Sequence, residues 1–265
     1  MPEIDKSKVS AAFDRAADDY DAMAQFQHQV CVRLAATLFD AQAAIGPEST
    51  PMRILDGGCG TGYGASLLRQ HWPEALVVGC DLAPEMARKA NARGIATVCG
   101  DLERLPFADA SFDLVWSSLA LQWCQPALAY AELQRVLAPG GRLLFSTLGP
   151  NTLHELRSAF AGIDSHRRVL PFASAPQVEA ALAAVGFERI KIEAMPWITR
   201  HSDFKTLLAT IRGIGANQIG GNRRRGMMGK TAWQAAQARY EALRDDNGLL
   251  PATYEVVFGF AEKRL

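Results

Sequence analysis

The sequence has no net charge, no long apolar run, no C-x-x-C pair and no internal repeat. Each absence removes a class of protein. Its 28 Lys and Arg residues balance 28 Asp and Glu residues, and no RNA-binding module is recognisable, which argues against a nucleic-acid partner. No stretch reaches the roughly 18 apolar residues a membrane-spanning helix needs, so no membrane partner is expected. The opening residues MPEIDKSKVSAAF lack the basic, apolar and small blocks of a signal peptide. The five cysteines, Cys31, Cys59, Cys80, Cys99 and Cys124, are odd in number and widely spaced, so neither zinc nor a disulfide framework is expected. Reduced thiols in a cytoplasmic protein are the simplest reading. His28, His71, His154, His166 and His201 are scattered and read as surface or capping residues. There is no Ser-His-Asp arrangement and no metal cluster.

What is present is an ordinary globular chain of 265 residues, 49% hydrophobic and 21% charged. Residues 5–46 read as one helix, with Phe13, Ala16 and Tyr20 on one face and a 3–4 spacing continuing to Ile45. After a GPESTP linker the rhythm changes. MRILD, ALVVGCD, IATVCGD, FDLVWSS and GRLLFSTL read as strands, alternating with helices at GASLLRQHW, PEMARKANARG and ALAYAELQRVL. Such alternation implies a parallel sheet with helices on both faces. Beyond it, NTLHELRSAFAGI reads as a helix with Asn151 as N-cap, SAPQVEAALAAVGF as a helix, and ERIKIEAMPW and TYEVVFGFA as two more strands. Roughly fifty residues separate those last two strands, far more than a usual connection of about 4–6 residues.

The stretch ILDGGCGTGYG runs from a buried strand through close-set glycines into a helix. Gly58, Gly60 and Gly62 let the backbone turn sharply and approach a ligand at the helix N-terminus. Tyr63 stands where a dinucleotide fingerprint places its third glycine, although reading from Gly60 gives a weak Gly-x-Gly-x-x-Ala match. Cys59 reads as a small loop residue. Acidic residues then close three successive strands. Asp56 would repel a pyrophosphate and suits a cationic amino group. Asp81 suits ribose hydroxyls. Asp101 suits an adenine amino group, with Leu102 against the ring. Three such acids without a phosphate-binding lysine point to a nucleoside carrying an amino acid.

LDGGCGTG, GCDLAPEM, GDLERLPFADASFDLVWSSLALQW and VLAPGGRLLFST resemble, in order and spacing, the successive motifs of class I S-adenosylmethionine-dependent methyltransferases. The resemblance implies an α/β, Rossmann-like, seven-stranded sheet whose last strand is antiparallel and hairpinned onto the sixth. It implies S-adenosyl-L-methionine as cofactor, held by Asp56, Gly58, Cys59, Gly60, Gly62, Asp81, Leu82, Asp101, Leu102 and Ser117. Residues 1–50 are then a helical extension and 51–265 the methyltransferase domain, with lid insertions at about 149–175 and 199–250. AAFDRAADDYD, SSLALQWC, IRGIGANQ and LPATYEVVFGFA are similar to one subfamily, the malonyl-[acyl-carrier protein] O-methyltransferases of the biotin pathway. Its members cap the free carboxylate of a malonyl thioester as the methyl ester, which primes pimelate synthesis.

A carboxylate is already ionised at neutral pH, so no general base is expected. Tyr20 either covers the methionine end of the cofactor, touches the malonyl group, or staples the N-terminal helix to the core. Ser117, Gln122 and Trp123 follow or end the fourth strand, where they contact cofactor or acceptor or simply pack. Arg212 is the candidate partner of the malonyl carboxylate, because a guanidinium fork matches it bidentately. Residues 211–230, IRGIGANQIGGNRRRGMMGK, hold six glycines, three consecutive arginines and no acid. Arg223, Arg224, Arg225 and Lys230 are candidates for docking an acidic carrier protein, against the alternative of a solvated loop. A monomer is expected. The competing readings are a carboxyl methyltransferase for a free acid such as trans-aconitate, an RNA methyltransferase, and a non-catalytic partner that keeps the fold.

Overall fold

The computed structural model describes residues 4–45, 50–163, 169–213 and 229–265. Arg223, Arg224 and Arg225 fall outside these residues, as does the side chain of Arg212. Strands β1 (Arg53–Gly57), β2 (Leu76–Asp81), β3 (Ala96–Cys99), β4 (Phe112–Ser118), β5 (Leu137–Leu148), β6 (Phe187–His201) and β7 (Leu250–Lys263) form one sheet in the order β3-β2-β1-β4-β5-β7-β6. Strands β1 to β5 pair in parallel, and β7 runs antiparallel to both β5 and β6, as the resemblance implies. Strand order reverses between β1 and β4, which opens a crevice at their carboxyl ends.

Successive strand residues point to opposite faces, and both faces of the central strands are buried. On one, Val30 and Leu34 of α3 (Gln25–Ile45) and Leu68 of α4 (Tyr63–His71) pack with Ile54, Leu114 and Trp116. On the other, Leu133 of α6 (Pro126–Val136) and Leu182 of α8 (Ala175–Ala184) pack with Leu55, Val115 and Phe145. Between β2 and β3 lies α5 (Pro84–Ala92), with Pro84 in its first turn and Gly94 just past its end.

Three sequence expectations need correction. The single helix over 5–46 is instead α1 (Lys6–Ala16), a short α2 (Tyr20–Met23) and α3. Aspartates are poor helix-interior residues, and here those around the break bind elsewhere. Asp18 pairs with Lys89 at 2.9 Å, and the Asp14 carboxylate accepts from Glu85 N at 2.8 Å, capping α5. Asn151 does not cap its helix. That helix, α7, spans His154–Phe160 with Leu153 as N-cap, and Asn151 N instead donates to Glu255 Oε2 at 2.8 Å. Asp101 lies beyond the end of β3, in a turn bridged to Arg104.

The insertion after β6 contains α9 (Phe204–Gly213) and α10 (Lys230–Glu241). Phe204 packs against Tyr240 and Trp233 at ring separations of 5.0 and 5.5 Å, and Trp233 lies 6.3 Å from Phe160 of α7. Described parts of both insertions therefore share one aromatic cluster. Among the described residues, no helix is long and apolar enough to cross a membrane.

Candidate active site

Three cavities, of about 630, 700 and 410 Å³, meet over the carboxyl ends of β1, β2 and β4. Tyr20 lines all of them. The break between α1 and α2 gives this residue its place, because a continuous helix would carry it along the α1 axis.

The 630 Å³ cavity contains Asp81, Leu82, Asp101 and Leu102, roofed by Val9 and Phe13 of α1. Both oxygens of Asp81 are engaged: Oδ2 accepts from Gly60 N and Oδ1 from Ala83 N, each at 2.8 Å. This ties the glycine loop to the end of β2. Burial still pushes the Asp81 carboxyl up to about 6 against these hydrogen bonds. Gly58 has φ +73, and a Cβ there would stand 2.2 Å from that of Ala120. Only glycine lets the loop pass this close to the end of β4.

The 410 Å³ cavity contains Asp56, Cys59, Tyr63 and Trp116. Asp56 and Trp116 are register neighbours on β1 and β4, so their side chains share a face. Asp56 Oδ2 and Trp116 Nε1 are both buried without a hydrogen-bond partner. A Cβ at Gly64 would sit 3.1 Å from the first and 2.9 Å from the second, so glycine keeps that approach open. Burial, with a minor contribution from Asp81, raises the Asp56 carboxyl to about 7. An unpaired buried acceptor beside an unpaired donor is costly. A zwitterionic amino acid, with one ammonium and one carboxylate, answers both. The residues present therefore fit the nucleoside-linked amino acid that the sequence motifs imply.

The 700 Å³ cavity differs. Phe13, Gln27, Gln122, Trp123, Leu170 and Tyr254 are among its walls, and among the described residues no charged side chain lines it. Gln122 is internally satisfied, donating to Leu119 O at 2.6 Å and accepting from Thr147 Oγ1 at 3.4 Å. Gln27 Oε1 is buried without a partner, and Gln27 lines both this cavity and the 410 Å³ one. Leu119, at φ +50, separates two cavities and is anchored by its N–H to Ser146 O at 3.0 Å. A non-glycine residue in this region is strained, and such strain gathers at functional sites.

Asp56, Gly58, Cys59, Gly60, Asp81, Leu82, Asp101 and Leu102 are thus brought to the 630 and 410 Å³ cavities, and Tyr20, Gln122 and Trp123 to the uncharged 700 Å³ one. Two candidates lie elsewhere. Ser117 is fully buried on the opposite face of β4, paired in register with Phe145. Its neighbour Ser118 lines the cavities in its place. Gly62 caps α4 at φ +87 and packs on Ala90 of α5. Lys230, another candidate, is exposed at the start of α10. Lys6, Phe13, Gln27, Trp116 and Ser118 were missed. Strand alternation from Asp56 and its register partner signals the last two, and Lys6, Phe13, Tyr20 and Gln27 recur every seven residues.

Comparison with known proteins agrees. A methyltransferase domain family matches residues 55–145. A malonyl-[acyl-carrier protein] O-methyltransferase of Herminiimonas arsenicoxydans is 61% identical, covering 99% of this chain and 98% of its own. One from Dechloromonas aromatica is 43% identical over 97% and 95%. The chain belongs to the malonyl-[acyl-carrier protein] O-methyltransferase family. It is an S-adenosylmethionine-dependent methyltransferase. Solved structures agree in fold. An S-adenosylmethionine-dependent methyltransferase of Thermotoga maritima aligns with TM-score 0.56 at 17% identity, covering 97% of this chain and all 100% of that one. A phosphoethanolamine N-methyltransferase of Haemonchus contortus aligns with TM-score 0.57 at 19% identity, covering 95% of this chain and 57% of that one.

Proposed function

We propose that the chain methylates the free carboxylate of a malonyl thioester carried on acyl-carrier protein, giving the malonyl methyl ester. Its relatives' shared name supports the acceptor. The observation that carries the reading is the neutral cavity opening beside Tyr20 from two cavities that hold carboxylates. S-adenosylmethionine, when bound, supplies an electrophilic methyl carbon on a sulfonium. Asp81, Asp101 and Leu102 hold its nucleoside, and Asp56 with Trp116 its amino-acid end.

The chain's own work is positioning and the exclusion of water. One acceptor oxygen keeps its lone pair for the new C–O bond while the other is held. Tyr20 and Gln27 offer a phenol and an amide at the junction, which orient a carboxylate without neutralising it. Arg212 supplies the counter-charge to that second oxygen; its neighbour Ile211 lines the acceptor cavity. Phe13 and Trp123, in edge contact at 5.8 Å, wall the junction against water. The insertions act as a lid, and Arg223, Arg224, Arg225 and Lys230 steer an acidic carrier protein to it. The enzyme works as a monomer in the cytoplasm.

Labelled methyl transfer tests this, with malonyl-carrier protein, acetyl-carrier protein, malonyl-coenzyme A and free trans-aconitate as acceptors. Label on malonyl-carrier protein and none on acetyl-carrier protein is the expected result. Stronger label on trans-aconitate than on malonyl-carrier protein overturns it.

A further inference from the structure

Lys6 breaks a local rule. It is the first residue of α1, where the helix dipole disfavours a cation, and the acid that offsets the dipole is the N-cap Asp5, which accepts from Lys8 N and not from Lys6. Its side chain reaches across to the turn after β3. There the ammonium lies 2.9 Å from Asp101 Oδ1, 2.9 Å from Glu103 Oε1 and 3.5 Å from Cys124 Sγ. An ammonium has three N–H donors, and each has an acceptor. Those same three acceptor residues stand close enough together to share a cation. The lysine is that cation.

The consequence falls on Asp101. Its Oδ1 accepts from Lys6 and also from Glu103 N at 3.0 Å, while its Oδ2 has no donor among the described residues. Glu103 is fixed in turn, with Oε1 accepting from Gln125 N at 2.7 Å. One carboxylate oxygen is therefore saturated, and the other remains an acceptor on the wall of the nucleoside cavity.

We propose that Lys6 is a positioning residue for base selection: it pins Asp101 so that a 6-amino purine is accepted and a 6-oxo purine refused. The inference rests on the reading that Asp101 receives the amino group of adenine. A carboxylate free to rotate could turn either oxygen away from the base. A 6-oxo group presents an acceptor to that oxygen and is repelled.

Titration calorimetry compares S-adenosylhomocysteine with S-inosylhomocysteine, its 6-oxo analogue. The unaltered chain prefers the first. In Lys6→Met, which keeps the aliphatic stem, that preference falls by about tenfold or more, the worth of one hydrogen bond to a charged group. Lys6→Arg does not restore it, because a planar fork cannot aim at three acceptors grouped around a compact ammonium. Ser10→Ala is the control for a loosened helix. Ser10 Oγ donates to Leu82 O at 3.2 Å and holds α1 without touching Asp101, so both ligands weaken by one factor. If Lys6→Met behaves like Ser10→Ala, weakening both ligands with the ratio intact, Lys6 only clamps the helix and the proposal is wrong. If the unaltered chain fails to discriminate, the reading of Asp101 falls first and takes the proposal with it. Should Lys6→Met not fold, Glu103→Gln removes one of the ammonium's two carboxylates with α1 still in place. A smaller drop in the ratio there supports the proposal, and an unchanged ratio overturns it.

Discussion

The two large cavities that meet at Tyr20 are walled by opposite chemistry. The 630 Å³ cavity, proposed for the nucleoside, holds Asp81, Asp101 and Lys6, while the described walls of its neighbour hold amides, aromatics and aliphatics. The difference follows from what each ligand must do. A donor can be gripped by fixed charges, because its binding groups are remote from its reacting carbon. An acceptor carboxylate is itself the nucleophile, and a strong counter-charge on the attacking oxygen would lower its reactivity. Fixed charge therefore suits the donor compartment, while in the acceptor compartment it is tolerable only against the oxygen that does not attack, the place proposed for Arg212.

The largest expected effect tests the charged side. Asp56→Asn should weaken S-adenosylhomocysteine binding by about 10- to 100-fold, the loss of a hydrogen bond between charged groups. Calorimetry reads it directly. The ligand-free protein should be no less stable at pH 8, since the substitution removes a buried carboxylate without a full set of partners. Unchanged affinity would mean that the 410 Å³ cavity does not take the amino-acid end.

Acidity probes the same contrast without mutation. Burial holds Asp56 at about 7 and Asp81 at about 6, both above the ordinary 3.8. The folded, ligand-free state thus binds protons more tightly than the unfolded one. The stability these groups contribute is full below pH 4 and is lost as pH rises through 6 and 7. A bound ammonium favours ionised Asp56, so affinity should weaken by up to about tenfold per unit as pH falls below 7, with proton release on binding. Titrations near pH 6 in two buffers of different ionisation enthalpy check both. Affinity independent of pH from 5 to 8 would remove Asp56 from the ammonium.

On the neutral side, Gln27 and Gln122 form a natural pair. Gln27 has an end without a partner at the junction, so its amide can turn to present the NH2 donor to a carboxylate, while both ends of Gln122 are bound within the protein. Gln27→Leu and Tyr20→Phe should each lower kcat by about fivefold, the worth of one hydrogen bond, with little change in cofactor affinity. Gln122→Leu should instead lower the melting temperature, because it strands Leu119 O and the Thr147 hydroxyl. A kcat loss larger for Gln122→Leu than for Gln27→Leu, at equal stability, would reverse their roles.

The charged compartment was far more legible in the sequence than the neutral one. Glycines and acids at strand ends are short-range signals: strand, loop and helix sit within one βα unit, and Asp56, Asp81 and Asp101 could be named from their positions alone. The strand alternation is equally plain, yet it does not tell Ser117 from Ser118, because a strand's parity depends on where it starts. The wall of the 700 Å³ cavity is assembled from α1, α2, α3, the turn after β4, β7 and both insertions, so its members become neighbours only by tertiary packing. Gln27 is one polar residue on a helix with no motif around it. Lys6 looks like any surface lysine until Asp101, Glu103 and Cys124 are brought beneath it.

The smallest effect belongs to the arginines of the basic 211–230 segment. If Arg223, Arg224 and Arg225 guide an acidic carrier protein, replacing all three with glutamine should raise KM for malonyl-carrier protein by a few-fold while kcat stays level, because rim charges act mainly on association. The effect should fade by about 0.5 M salt, where screening is much shorter than the roughly 10 Å found at 0.1 M. Malonyl-coenzyme A is the informative comparison. It brings the same thioester and carboxylate without the acidic protein surface, so its KM should move less than that of the carrier protein. Equal shifts for both acceptors would place these arginines near the phosphopantetheine arm common to them, and would add their charge to the one proposed for Arg212.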